Sequence, residues 1–531
     1  FVGSAHDDII TIASTDIATL PTGFFDGGAE TGVDELVIAG ELDFNASDLL
    51  GKVTNIESIN MADVNPQVGT PFEINGDEAF TLLGSQSGKT LTITAENGTE
   101  FSVTDGAGYT QVGVPGDVTD GDGIRTLTYT FQNGPDTITL EVIVLPIVGT
   151  AGDDNPLEGN DGHNVIIGLQ GNDVIYGYKG DDVILADEGA DTVYGGEGND
   201  TLRVMSDYTA DATANEDDTY DGGTGEDTID ASDVTDGVNI DLNAQTLTDQ
   251  SGGLNIGSDT IVSIEHAVGS DQGDVIRGSD ADDNTIIGGE GNDTLEGRDG
   301  ADYVDGGEGD DTLVLDDDGA DVDTLIGGNG EDTLDLSVNM GTDDIDVDLT
   351  GAQSITTGDD ISGFEHVKGS DGINVITGTA GDNTLDGQGG DDTFFAGDGS
   401  DEILGGAGTD VIDYAGGDAI DVDITNGEID QNADTDSITS VERVLATSND
   451  DTFHVTSTDL AGMTAANFYD GRGGNDTLVI TGNLNFDADK LNTHFDNLEV
   501  IDMTGVTTTG DTFTISGDHV AGLASGNGST L

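Results

Sequence analysis

The sequence predicts an all-β protein in which parallel β-roll modules are interleaved with modules of longer β-strands and one antiparallel β-sandwich. Three observations point there. A nine-residue phrase recurs in tandem, apolar residues elsewhere alternate at period two between turn residues, and helical periodicity is nearly absent. The composition agrees, because 83 glycines, 5% aromatic residues and no Trp suit thin layers stacked on turns better than large cores.

Residues 168–203 hold the clearest run, reading GLQGNDVIY, GYKGDDVIL, ADEGADTVY and GGEGNDTLR. Gly falls at the first or second and the fourth places, Asp at the sixth and an aliphatic residue at the eighth. The glycines allow a tight turn with positive φ, and the Asp offers a hard oxygen ligand. The aliphatic residue opens a short strand with one side chain facing inward. One repeat cannot bury that side chain, whereas two repeats make one turn of a parallel roll and stacked turns bury the aliphatic column. Carboxylates then meet between loops of successive turns on the same side, so Asp173 should face Asp191 and Asp182 should face Asp200. Such pairs repel unless a cation lies between them.

The run resembles the calcium-binding nonapeptide of RTX proteins, GGxGxDxUx. That resemblance implies multiple Ca2+ ions, coordinated between turns by sixth-position carboxylates and loop carbonyls. Carried over residue by residue, it implies metal ligation by Asp173, Asp182, Asp191, Asp200, Asp227, Asp293, Asp302, Asp311, Asp332, Asp392, Asp401, Asp410 and Asp476. Asn164, Asn374 and Asn383 stand where the pattern has Asp, and Gln272 where it has the fourth-position Gly. An amide offers only a neutral oxygen, so these rows are expected to bind calcium weakly or to stay empty.

At 531 residues the chain exceeds what one core serves, and several modules are expected. Its 109 acidic residues against 11 basic ones give a formal net charge of -98. Self-repulsion at that density opposes compaction unless cations bind, and it makes nucleic acid and anionic membranes poor partners. Cys is absent, which excludes disulfides and thiolate sites. Metal binding, which couples to folding, is then the staple open to a secreted protein. Extracellular calcium modules bind with dissociation constants on the order of 10⁻⁴ to 10⁻³ M, so the chain is expected to be loose inside the cell and to fold outside it. No transmembrane run and no signal peptide are visible. The resemblance implies type I secretion through a C-terminal signal, to which the tail SGNGSTL corresponds poorly.

Taken in order, residues 1–63 read as a β capping or assembly unit. Its pieces FDGGAETGVDELVIAGELDFNASDLL and NIESINM return as YDGRGGNDTLVITGNLNFDADKL and NLEVIDM, at a constant offset of 442 from Leu36/Leu478 through Met61/Met503. Residues 446–505 are therefore a second copy, and GDTFTISGDHVAGL within 506–531 begins a third, truncated one. A chain that opens in one copy and closes in another reads as a segment of a longer repetitive protein or as a subunit built to stack head to tail. Residues 64–148, with FEIN, KTLTITAEN, EFSVT, IRTLTYTFQN and DTITLEVIVLP, predict an immunoglobulin-like β-sandwich without its disulfide. Residues 149–230 form an RTX β-roll, 231–335 and 336–413 each a β module plus roll, and 414–445 a further β module. A second duplication supports this division: DTIVSIEHAVGSD at 259–271 and DDISGFEHVKGSD at 359–371, with a more distant DSITSVERVLATS from Asp436.

Catalytic chemistry is not expected. HExxH and GxSxG are both missing, and Cys nucleophiles are excluded. Glu265-His266 and Glu365-His366 are adjacent strand residues that point to opposite faces, so neither pair can grip one ion. The expected function is a secreted, calcium-dependent structural protein that self-assembles into a bacterial surface layer, sheath or extracellular filament. A segment of a large calcium-stiffened RTX adhesin is the alternative, with the non-catalytic tail of a secreted enzyme ranked third. Expected partners are further copies of the chain and cell-surface polysaccharide, without nucleic acid or membrane insertion. The expected location is extracellular, at the cell surface.

Overall fold

The computed structural model describes residues 136–506 apart from 207–216, 251–255, 316–321, 339–343, 351–353, 356–357 and 484–488, and before residue 136 the strands and a few helical positions. Residues 507–531, with the expected start of a third copy, lie outside the described residues. The chain divides into two units, Phe1–Asp271 and Gln272–Leu531.

In the first unit, successive short strands from Ile147 onward go alternately to two parallel sheets. Val165–Ile167, Val183–Leu185, Thr201–Met205, Thr228–Asp233 and His266–Val268 build one, while Leu157–Asn160, Val174–Lys179, Thr192–Glu197, Thr219–Thr224 and Ser258–Val262 build the other. In the regular stretch the register pairs residues one turn apart, Val165 with Val183 and Val174 with Thr192. Two nonapeptides therefore make one turn, as the repeat predicts. The eighth-position residues stack inward: Ile184, Leu202 and Ile229 on one side and Ile175 and Val193 on the other are all fully buried. Each such side chain contributes roughly 1.5–3 kcal/mol, and every turn supplies only two or three. Stability is therefore carried by contacts between neighbouring turns.

Longer segments leave the roll and rejoin it. Val238–Asp241, Thr246–Asp249 and Ser258–Val262 form an antiparallel meander, yet Ser258–Val262 still pairs in parallel with Thr219–Thr224. The insertion thus sits between two turns without breaking the sheet.

The immunoglobulin-like sandwich expected over 64–148 is not confirmed. Thr90–Ala95 pairs in parallel with both Ser58–Asn65 and Asp136–Val144, and Phe72–Asn75 pairs in parallel with Phe101–Thr104. Antiparallel pairing among the described residues of this segment is confined to the strands around Arg125–Asn133. Alternation at period two reports a buried face and carries no information on strand direction. Here the parallel sheet begun by Ile9–Ala13, Glu35–Glu41 and Ser58–Asn65 runs on through the segment.

The second unit repeats the scheme with an additional sheet. Val275–Arg277, Thr294–Glu296, Thr312–Val314, Thr333–Asp335, His366–Lys368, Thr384–Asp386 and Glu402–Leu404 pair successively in parallel, with Leu295, Leu313, Leu334, Leu385 and Ile403 buried in one column. Thr285–Glu290, Tyr303–Glu308 and Thr324–Asn329 form the opposing face, and Asn374–Thr377, Thr393–Phe395, Val411–Asp413, Arg443–Leu445 and Phe468–Asp470 a further one. Two six-residue helices interrupt it, Ser457–Gly462 and Asp489–His494. The first is set by a capping box in which the Thr456 hydroxyl accepts from the Asp459 N–H while the Asp459 carboxylate accepts from the Thr456 N–H.

Replacing Ile184 by Ala should cost roughly 2–5 kcal/mol, and Val183→Ala, one position along and facing outward, clearly less. Urea unfolding of the two variants in calcium checks the ordering.

Candidate metal-binding ladder

The loop that carries the sixth-position Asp is shaped by its glycines in two ways. At the second and fourth positions the chain turns through positive φ, as at Tyr178 (φ 79°) and Gly180 (φ 98°). The first position is different, because its constraint is space. A Cβ on Gly195 would stand 2.6 Å from the carbonyl oxygen of Gly222 and closer still to Asp200 Oδ2. The carboxylate thus lies directly against the backbone of its own loop.

These carboxylates form columns that run from turn to turn. The main-chain N–H of Asp173 donates to Asp191 Oδ1 at 2.7 Å, and that of Asp182 to Asp200 Oδ1 at 2.8 Å. Those are the two pairs singled out by the repeat. The same bond joins Asn164 to Asp182, Asp200 to Asp227, Asn284 to Asp302, Asp293 to Asp311, Asp311 to Asp332, Asn374 to Asp392, Asn383 to Asp401, Asp392 to Asp410 and Asp451 to Asp476. All thirteen sequence-predicted residues occupy such rungs, and each is at most 2% exposed. In Asp173, Asp200, Asp227, Asp293, Asp311, Asp332, Asp392, Asp401, Asp410 and Asp476 the second oxygen, Oδ2, is buried without a hydrogen-bond partner. A buried carboxylate oxygen left in that state costs on the order of 1–3 kcal/mol or more.

Burial is the largest cause of the resulting shifts. It pushes Asp227, Asp293, Asp392, Asp401 and Asp476 up to about 7, and Asp200, Asp332 and Asp410 up to about 6, with neighbouring carboxylates adding to the effect. No group of three or more His, Cys, Asp or Glu side chains converges on a point among the described residues. A cation fitted to the ladder would therefore take one or two carboxylates and fill its shell with main-chain carbonyls. That donor set suits a hard, flexible cation with about six to eight oxygen ligands. When bound, such an ion supplies the positive charge that the columns lack. The protein's own part is to hold each carboxylate in place and exclude water from it.

A carboxyl group whose folded pKa exceeds its unfolded one binds its proton more tightly in the folded state. Its contribution to stability is full below the unfolded value and is lost as pH rises through the folded one. In chelator the melting temperature should accordingly fall steadily from about pH 4 and level off above about pH 7, once the folded groups have lost their protons. Millimolar calcium should reverse the trend. Thermal melts followed by circular dichroism across that range check both signs.

Further column members lack the glycine signature. Asp218, Asp259, Asp323, Asp359 and Asp436 each accept an N–H from the preceding rung, from Asp191, Asp218, Asp302, Asp323 and Asp401 respectively. Their shared signal is Asp followed two residues later by an apolar side chain, buried in Asp218-Thr219-Tyr220 and Asp259-Thr260-Ile261 and half-buried in Asp436-Ser437-Ile438. Glu265 and His266 have separate neighbours: the first accepts from the Asp227 N–H, the second lies 3.9 Å from Glu226. Glu365 and His366 repeat this with Asp332 and Glu331.

The Asn rows differ among themselves. Asn374 Nδ2, with two N–H groups to give, lies 3.1 Å from each of the carbonyls of Ser370, Gly372 and Gly387 and 3.2 Å from Asp392 Oδ1. An amide thus sits among oxygens that a cation would otherwise draw on. Asn383 Nδ2 donates to the Glu365 carbonyl and the Thr379 hydroxyl, whereas Asn164 Nδ2 is buried with no hydrogen-bond partner. Asn374→Asp removes that amide and adds a carboxylate, so it should raise the number of calcium ions bound by one, measured by equilibrium dialysis.

Comparison with known proteins meets this geometry on the same loops. The family model for the RTX calcium-binding nonapeptide repeat (4 copies) matches residues 158–192, 171–202, 279–313, 317–337, 368–403 and 389–420. Every one of the thirteen predicted ligands lies in these stretches except Asp227 and Asp476. No curated protein matches the chain. Tandem nonapeptides, paired parallel sheets and columns of buried carboxylates together mark these stretches as RTX calcium-binding nonapeptide repeats, which imply multiple Ca2+ ions.

Proposed function

We propose that the chain is a secreted, non-catalytic structural protein that self-assembles, in calcium, into a bacterial surface layer, sheath or extracellular filament. One observation carries the reading: the described strands of the two copies of the roughly sixty-residue unit pair alike but differ in what the last of them meets. In the first copy, Glu35–Glu41 pairs with Ser58–Asn65 from Glu35↔Ser58 and slips register between Val37 and Ala39. In the second, Thr477–Gly482 pairs with Val500–Val506 from Thr477↔Val500 and slips between Val479 and Thr481, each position 442 residues further on. Ser58–Asn65 then receives a further parallel strand, Thr90–Ala95, on its other edge. Among the described residues Val500–Val506 pairs on one edge alone, and most of its residues are partly or fully exposed. The fold of the first copy supports the view that this edge accepts a parallel strand, and a second copy of the chain carries strands of the right kind.

Calcium enters as the condition for assembly, since neutralised columns let turns stack and bring the edge into order. Cell-surface polysaccharide is the proposed anchor, and export by type I secretion the proposed route. Negative-stain electron microscopy of the purified chain in millimolar calcium should show regular sheets or filaments that dissolve on chelation. Separate calcium-dependent rods that never associate would instead favour a stiff segment of a large adhesin.

A further inference from the structure

Three nonapeptides stand alone in the sequence and a fourth closes a run, and all four end at the same small structure. After Asp227 the next rung of its column is supplied by Ser263-Ile264-Glu265, after Asp332 by Gly363-Phe364-Glu365, after Asp410 by Ser440-Val441-Glu442 and after Asp476 by Asn497-Leu498-Glu499. None of these tripeptides contains the GGxGxD pattern. Their geometry is nonetheless the same four times. The first residue is left-handed, with φ of 52°, 76°, 56° and 52° for Ser263, Gly363, Ser440 and Asn497. The Glu carboxylate accepts the Asp main-chain N–H, at 2.8, 3.1, 3.1 and 3.0 Å. The Asp carbonyl in turn accepts the N–H of the Glu and of the residue after it, as in Glu499 and Val500 on Asp476 at 3.1 and 2.9 Å.

The left-handed residue turns its carbonyl toward the carboxylate that the column leaves unsatisfied. A Cβ on Gly471 would stand 2.5 Å from the Asn497 carbonyl oxygen and 2.6 Å from Asp476 Oδ2. Gly222 stands in the same way between Ser263 O and Asp227 Oδ2, Gly327 between Gly363 O and Asp332 Oδ2, and Gly405 between Ser440 O and Asp410 Oδ2. In the regular turns that carbonyl belongs to the first glycine of the next nonapeptide, Gly222 for Asp200 and Gly327 for Asp311. The tripeptide therefore reproduces two features of a nonapeptide loop in three residues: the carbonyl of its first position and the carboxylate of its sixth. The four Asp Oδ2 atoms are buried and have no hydrogen-bond partner, in residues at most 1% exposed.

We propose that these four tripeptides are calcium half-sites that close the aspartate columns, so that Asp227 with Glu265, Asp332 with Glu365, Asp410 with Glu442 and Asp476 with Glu499 each hold a Ca2+ ion together with the left-handed carbonyl. An isolated nonapeptide is then one half of a site whose other half lies 23 to 38 residues later in the chain. The inference concerns the dissolved chain and stands whether or not it assembles. The sequence holds a further tripeptide of this kind, Asn55-Ile56-Glu57, outside the described residues.

The test counts calcium on the full-length chain by equilibrium dialysis, under conditions in which it remains unassembled. Glu→Gln at 265, 365, 442 and 499 keeps the size and the acceptor for the Asp N–H and removes the charge. Each single variant should lose one ion, or have one class of site weakened by about tenfold or more, and the fourfold variant should lose four. An unchanged count and midpoint in variants that retain their circular dichroism would overturn the proposal, leaving the Glu as a structural acceptor. Where a Gln variant fails to fold at saturating calcium, the matching Glu→Asp variant decides. Folding with the full calcium count supports a charge requirement, and failure of both marks a packing role and overturns the proposal.

Discussion

The bond from one aspartate's main-chain N–H to the carboxylate of the next turn is the interaction on which the rest of the fold depends. It fixes the spacing of the loops, and through them the register of two sheets whose strands are often only three residues long. Strands that short, pairing in parallel, have little cooperativity of their own. A column of carboxylates supplies the continuity along the stack that a deep core would supply in another fold. It does so by placing charge inside the protein, which is the least favourable way to order a chain without a counter-ion.

That arrangement gives the composition a physical meaning. With 109 acidic residues and 11 basic ones, the chain cannot neutralise itself. Arg203 reaches Asp230 and Asp233, and Arg472 makes a two-pronged contact with Asp413, but such partners serve outer carboxylates rather than the column. The buried oxygens are left for a cation, and calcium filling them would make folding conditional on the medium. In the row of Asn374 an amide meets the same carbonyls without a metal, so the fold has two solutions to one electrostatic problem.

Much of this was legible because the repeat has a fixed length. A period of nine with Asp at the sixth place determines which carboxylates are neighbours, and Asp173 with Asp191 follows from counting alone. Strand direction was not legible. The alternation in KTLTITAEN and DTITLEVIVLP is equally good for parallel or antiparallel partners, and Thr90–Ala95 lies parallel to both of its neighbours. Rungs without glycine were also hidden. Asp218 and Glu265 are brought into the columns by strands that return after long excursions, and nothing in their immediate sequence resembles GGxGxD. The first-position glycine was misread in part, since its role at Gly195 is to leave room for Asp200 rather than to reach a left-handed conformation.

The ladder also has a direction. Among the described residues the sixth-position N–H donates to a carboxylate later in the chain, as from Asp173 to Asp191 and from Asp392 to Asp410, while the residue before it donates back to the preceding turn, as from Asn199 to Asp181 and from Thr409 to Asp391. Each turn thus leans on both neighbours, with its aspartate N–H waiting for the turn that follows and the residue before it tied to the turn already made, and the last carboxylate of a column acts as the stop.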